Sequence, residues 1–260
     1  MWTNQYETIA FQRDDGLLTV TFNRPEQLNA VNALVHTEMS RLFGDIARDE
    51  SVRAVVLTGA GRAFCAGGDL EWFRTMNQES LDRLFVEARR IIIDMLEVPQ
   101  PIITAVNGPA TGLGATLALM GDVIYAAEDA RIADTHVRAG IGAGDGGAVI
   151  WPLLVGMSRA KEYLMTGDAL TAREAERLGL VNHVVPPAEL VAAATAMGRR
   201  LADGPQMAIR ATKASLNKIL RDAANSVLDT SLALEKECFH SAEHRECVQA
   251  FLEKRKPSFR

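Results

Sequence analysis

The sequence predicts an α/β protein whose strands and helices alternate over roughly the first 150 residues before helices take over. Three observations lead there. The runs at residues 54–58 and 102–106 are short, apolar and partly β-branched, as interior strands are. Each is followed by a glycine-rich segment that runs into a helix-forming stretch. Strand signals nearly cease beyond Trp151-Pro152.

The first element is a strand in which Leu18, Val20 and Phe22 face one way and Thr19, Thr21 and Asn23 the other, ended by Arg24-Pro25. Between residues 32 and 47, Val35, Met39, Leu42, Phe43 and Ile46 recur at helical spacing. After the strand at 54–58, a second helical stripe carries Leu81, Leu84, Phe85, Ala88, Ile91, Ile92, Met95 and Leu96. It stops at Val98-Pro99-Gln100-Pro101, where proline forbids continuation. A short apolar helix at 115–120 and a strand at 123–126 follow the strand at 102–106. Further on, Thr171-Ala172-Arg173-Glu174 fits a capping box and Gly179 the matching C-terminal stop. Gly204-Pro205 separates two more helices, and the tail from 222 to 256 is helix-rich with an apolar stripe that must dock on something. The expected division is a core at 1–200 and a helical region at 201–260.

Composition narrows the partners. With 260 residues and 48% hydrophobic content the chain can bury a full core. A net charge of −5 provides no basic field for nucleic acid or anionic lipid. The N-terminus has no basic region followed by an apolar one, and no stretch approaches a membrane span. Cys65, Cys238 and Cys247 are too few and scattered for a disulfide framework. A cytoplasmic location is expected, with no nucleic-acid or membrane partner.

The segments Ala63-Phe64-Cys65-Ala66-Gly67-Gly68-Asp69 and Asn107-Gly108-Pro109-Ala110-Thr111-Gly112-Leu113-Gly114 carry the chemistry. Glycine after a strand permits backbone conformations that a Cβ forbids, and free N–H groups at a following helix start point at whatever lies in front. Two such turns meeting at one point form an oxyanion hole.

With Asn23-Arg24-Pro25, Leu28-Asn29-Ala30, Ala105-Val106-Asn107-Gly108 and Lys254-Arg255-Lys256, these segments make the chain resemble the crotonase, or enoyl-CoA hydratase/isomerase, superfamily. The resemblance runs from the first strand to the last helix. It implies a spiral of ββα repeats, a helical C-terminal region that builds a homotrimer or dimer of trimers, and an acyl-CoA thioester as substrate. No separate cofactor or metal is implied, coenzyme A being part of the substrate. The resemblance assigns the oxyanion hole to the N–H groups of Ala66 and Leu113, with Gly67, Gly68, Gly112 and Gly114 around them in the substrate site. It lays Ala63, Asp69 and Leu70 along the CoA and sends Lys254 to a CoA phosphate.

Hydratases of this family use two glutamates, one to activate water and one to manage the α-proton. This chain has Thr116 and His136 at those positions. A threonine hydroxyl orients but is a poor base, so the expected catalytic group is His136, with the Asp145 carboxylate on its other ring nitrogen, as in catalytic triads. A similar spacing of histidine and aspartate occurs in a CoA-independent branch that hydrolyses carbon–carbon bonds of β-diketones. Three readings follow: an enoyl-CoA hydratase or isomerase working through a thioester enolate, a hydrolase of that second type, and an acyl-CoA binder without activity.

Other motifs carry less. Gly112-Leu113-Gly114 is followed by Leu117 where a dinucleotide fingerprint needs its third glycine. His240-Ser241-Ala242-Glu243-His244 has the order of an inverted zinc-peptidase motif, but Ser241 reads as a helix cap that breaks the shared face. Cys65 reads as a small filler, and Trp72 and Phe73 as pocket wall or core.

Overall fold

The computed structural model describes residues 1–259, and its elements follow from the patterns above. The hairpin β1 (Ile9–Asp14) and β2 (Leu17–Phe22) opens the chain, followed by α1 (Ala33–Arg48), β3 (Ala54–Gly59), α2 (Leu70–Thr75) and α3 (Gln78–Glu97). Then come β4 (Ile102–Val106), β5 (Ala110–Thr111), α4 (Leu113–Leu119), β6 (Val123–Ala127) and β7 (Arg131–Ala133). The remainder is α5 (Gly147–Val155), α6 (Met157–Thr166), β8 (Leu170–Thr171), α7 (Ala172–Leu178), β9 (His183–Val185), α8 (Leu190–Ala202), α9 (Gln206–Phe239) and α10 (Ala242–Leu252).

The main sheet has the order β1-β2-β3-β4-β6-β9, antiparallel only between β1 and β2. A second layer, β5-β7-β8, lies at the ends of the main strands and continues through single bridges between Cys65 and Ala110 and between Val31 and Gly68. The chain therefore turns from a long strand into a short one of the other layer at β4 to β5 and again at β6 to β7. This is the ββα spiral with helices outside. Every residue of β3 and β4 is buried, as their unbroken apolar runs require. Thr171 and Glu174 form the capping box of α7, closed by Gly179 in the left-handed conformation. Beyond Trp151 strands nearly cease, as expected: among the described residues only the short β8 and β9 follow, and β9 completes the main sheet at its far edge.

The long helix α9 is fastened to the sheet by a buried cation. Lys213 Nζ donates to Asp122 Oδ2 (2.7 Å) and to the Gln100 carbonyl (2.9 Å), while Asp122 Oδ2 also accepts the Ile102 N–H that begins β4. Burial lowers the Lys213 pKa, the Asp122 carboxylate offsetting only part of the desolvation. Lys213→Met is expected to cost about 1–3 kcal/mol, since it strands two acceptors. The Asp122 side chain keeps 23% exposure, so water can relieve part of the loss. Denaturant unfolding of the variant measures it, and an unchanged midpoint would remove the clamp from this account.

Candidate active site

Two asparagines build the glycine turns. Leu28 and Asn29 adopt left-handed backbone conformations (φ 53° and 56°), and Asn29, 1% exposed, holds the strain in place. Its Nδ2 donates to the carbonyls of Ala60, Ala63 and Phe64, and its Oδ1 accepts the Arg24 N–H. Asn107 clasps the same turn from the other side, accepting from Gly59 N–H and donating to the carbonyls of Gly61 and Ala63. The two glycine turns are then stitched together, with Cys65 N–H donating to the Pro109 carbonyl (3.2 Å) and Thr111 N–H to the Cys65 carbonyl (2.9 Å).

This arrangement corrects the expected donor pair. Ala66 N–H points at the Leu28 carbonyl (3.1 Å) and is spent within the protein, because the left-handed turn at Leu28 aims that carbonyl at it. Among the described residues, no acceptor takes the N–H of Gly68, whose neighbours Gly67 and Asp69 instead pair with Val31 through the Gly67 carbonyl and the Asp69 N–H. Leu113 N–H is likewise unpaired at the first position of α4, behind Gly112 with its φ of 54°. Gly68, Gly112 and Leu113 all line one cavity of about 670 Å³.

The same cavity is lined by Asp69, Leu70, Trp72, Phe73, His136, Asp145 and Glu235. Asp69 caps α2, accepting the Glu71 N–H at 3.0 Å. Four expected contacts fall elsewhere. Ala63 is fully buried, its carbonyl engaged by both asparagines, and so lies away from any ligand. Gly67 and Gly114 serve close approach instead of contact: a Cβ on Gly67 would lie 2.7 Å from the Thr111 carbonyl oxygen, and one on Gly114 2.3 Å from that of Cys65. Thr116 sits behind the cavity wall with its Oγ1 donating to Asp145 Oδ1 (3.3 Å), so it neither faces a substrate nor bonds its own helix. Lys254 is exposed in the tail beyond α10, outside the cavity lining.

His136 lies between two carboxylates. Its Nδ1 is 2.6 Å from Asp134 Oδ1 and its Nε2 3.1 Å from Asp145 Oδ2. Asp134, on the far side from Asp145, thus shares the orienting role expected of Asp145 alone. Burial opposes charge on the imidazole, but Asp134 and then Asp145 outweigh it and hold the pKa well above the usual histidine value. Both ring nitrogens donate, and the resting side chain is an imidazolium.

Glu235 comes from α9 and is 4% exposed, with Oε2 unpartnered. Burial pushes its pKa well above the carboxylate range; His136 pulls against this, while Asp145 and Asp134 add to it. The site therefore gathers the His136 ring, two aspartate side chains and a glutamate whose acid form burial favours. Sequence reasoning missed Asp134 and Glu235. Their traces are two glycines: a Cβ on Gly147 would lie 2.2 Å from Asp134 Oδ2, and one on Gly144 2.4 Å from Glu235 Oε2. Cys65, fully buried with its thiol pushed up to about 12 by desolvation, is not a nucleophile. Ser241 caps α10, and His244 Nδ1 donates to the Ala139 carbonyl (2.7 Å), which leaves His240 and His244 no shared helix face.

A two-layered ββα spiral whose glycine turns present unpaired amides to a cavity, next to buried acid–base groups, defines an enzyme of the crotonase superfamily. The chain belongs to the enoyl-CoA hydratase/isomerase family, whose sequence profile matches residues 12–260. It is 35% identical to a 1,2-epoxyphenylacetyl-CoA isomerase of Escherichia coli, with 97% of this chain and 98% of that one covered. A solved enoyl-CoA hydratase/isomerase from Mycobacterium paratuberculosis superposes with a TM-score of 0.91 at 39% identity, covering 94% of this chain and 98% of that one. A β-diketone hydrolase from the cyanobacterium Anabaena, solved with (S)-3-oxocyclohexyl acetic acid bound, superposes with a TM-score of 0.86 at 33% identity, covering 92% and 96%. No described helix is long and apolar enough to cross a membrane.

Proposed function

We propose that the enzyme converts an acyl-CoA thioester through an enolate, by hydration or dehydration of an enoyl-CoA or by a shift of its double bond. The observation that carries this reading is the pair of unpaired amides, Gly68 N–H and Leu113 N–H, at one cavity wall. A thioester oxygen bound there gains negative charge as the α-carbon is attacked or deprotonated, and each such donor contributes about 3–4 kcal/mol to the transition state. In hydration Asp145 takes the proton of the attacking water while His136 Nε2–H delivers one to the α-carbon. In dehydration each proton retraces its path, the α-proton returning to His136 and Asp145 protonating the departing hydroxyl, and Asp134 keeps the ring in register throughout. Glu235, uncharged, is a second proton source at the same wall.

Incubation with crotonyl-CoA tests this: the conjugated enoyl absorbance is expected to fall as water adds, and acyl-CoA esters are expected to raise the unfolding temperature. A second reading, carbon–carbon hydrolysis of a β-diketone, draws on the replacement of both hydratase glutamates and on the likeness to the Anabaena enzyme. Cleavage of a cyclic β-diketone, with no thermal shift from any CoA ester, would put that reading in place of ours.

A further inference from the structure

We propose that His36 is a second substrate-contacting residue, which recognises an oxygen carried by the acyl group away from the thioester carbonyl. The proposal rests on the acyl-CoA reading above and narrows its substrate to oxygenated acyl thioesters, bearing a hydroxyl or an oxo group.

His36 lies on α1 and is 3% exposed, yet it lines the catalytic cavity. Its Nδ1 is 2.8 Å from Glu87 Oε2 on α3. Burial favours the neutral form of Glu87, but the bonds from His36 and Thr37 and the nearby Arg83 outweigh it, so the pKa is lowered and the group is ionised. Thr37 Oγ1 donates to Glu87 Oε1 at 2.9 Å, and Arg83 Nε stands 3.5 Å from the same oxygen. An ionised carboxylate only accepts, so Nδ1 must donate. Nε2 is left as the one uncommitted polar atom of the ring.

The surroundings say what that atom can meet. Trp72 is 5.7 Å from His36, ring centroid to ring centroid, and 5.8 Å from Phe73. The Phe73 ring in turn covers Gly68 so closely that a Cβ there would lie 2.2 Å from its Cζ. His36 and the Gly68 amide therefore stand at two ends of one aromatic wall, two ring steps apart. A wall serving only a hydrocarbon chain gains nothing from an imidazole whose tautomer is fixed by a half-buried carboxylate and whose other nitrogen has no partner among the described residues. A ligand hydroxyl donates to Nε2 when the ring is neutral; a ligand oxo group accepts from it when the ring is protonated.

The test compares matched esters: hexanoyl-CoA against hexanoyl-CoA bearing one hydroxyl or oxo group, placed at successive carbons from the β-position outward, with affinity measured by calorimetry. The wild-type protein is expected to bind at least one oxygenated ester about tenfold more tightly than the plain one, the size of one added hydrogen bond. His36→Phe, which keeps a flat ring, is expected to retain affinity for hexanoyl-CoA and lose the preference. Glu87→Gln, which leaves His36 in place, is expected to weaken the preference, and it covers the case in which His36→Phe fails to fold. A wild type without preference, or a preference that survives both substitutions, would overturn the role of His36 alone. Failure of every CoA ester to bind would instead overturn the acyl-CoA reading and this one with it.

Discussion

Replacing His136 with alanine is expected to lower turnover of an enoyl-CoA by about 10²- to 10⁴-fold, the usual contribution of a positioned proton-transfer group. Binding of a saturated acyl-CoA should survive, because the Gly68 and Leu113 amides are untouched. Stability should fall as well, by about 3–5 kcal/mol, since the buried Asp134 and Asp145 lose the cation between them. The pH dependence gives the sharper signature. The folded pKa of His136 is raised, so its contribution to stability is fully present below the unfolded value of about 6.5 and is lost as pH climbs through the higher folded value. The stability gap between wild type and His136→Ala should therefore be widest at or below about pH 6 and shrink as the solution becomes alkaline. Denaturant titrations across that range measure the gap, and a constant value would mean that the imidazole is neutral in the fold. His136→Gln, which keeps a donor toward one aspartate, should recover part of the stability and none of the turnover.

Gly114→Ala is expected to cost about 10²- to 10³-fold in rate, comparable to removal of one oxyanion donor, although residue 114 touches no substrate. The new Cβ would stand 2.3 Å from the Cys65 carbonyl oxygen and 3.0 Å from its carbonyl carbon, and neither can swing away as a side-chain tip could. That carbonyl accepts the Thr111 N–H, so relieving the clash pushes one glycine turn off the other and parts Gly68 from Leu113. Alanine returns roughly 1 kcal/mol of helix propensity within α4. Overpacking costs about 1–3 kcal/mol, so a modest net loss of stability accompanies the larger loss of rate. Steady-state kinetics beside thermal unfolding separates the two effects, and an unchanged rate would show slack between the turns.

The structure also assigns physical work to motifs that the sequence displays without explaining. Asn29 and Asn107 are the braces of the glycine turns, each satisfying several carbonyls that the left-handed backbone leaves bare. The glycines at 144 and 147 make room for carboxylates from elsewhere in the chain. A glycine-rich loop near a histidine is thus a readable sign of a crowded charged site, even when the charges themselves are distant in sequence.

What the sequence determined is local. The apolar runs of β3 and β4, the stripe of α3 and the capping box at Thr171 are short-range patterns, and the fold followed them. The use of backbone amides was also legible from the glycine motifs, and His136 from the place the resemblance to the crotonase superfamily gives it. Tertiary structure alone decided which amides are free: a carbonyl turned by left-handed Leu28 claims Ala66 and leaves Gly68. It alone brought Glu235 from α9 to His136, and β9, only three residues long, to the sheet edge. Hydrogen-bond partnership and burial depend on segments far apart in the chain, and no local pattern of side chains encodes which distant group arrives first.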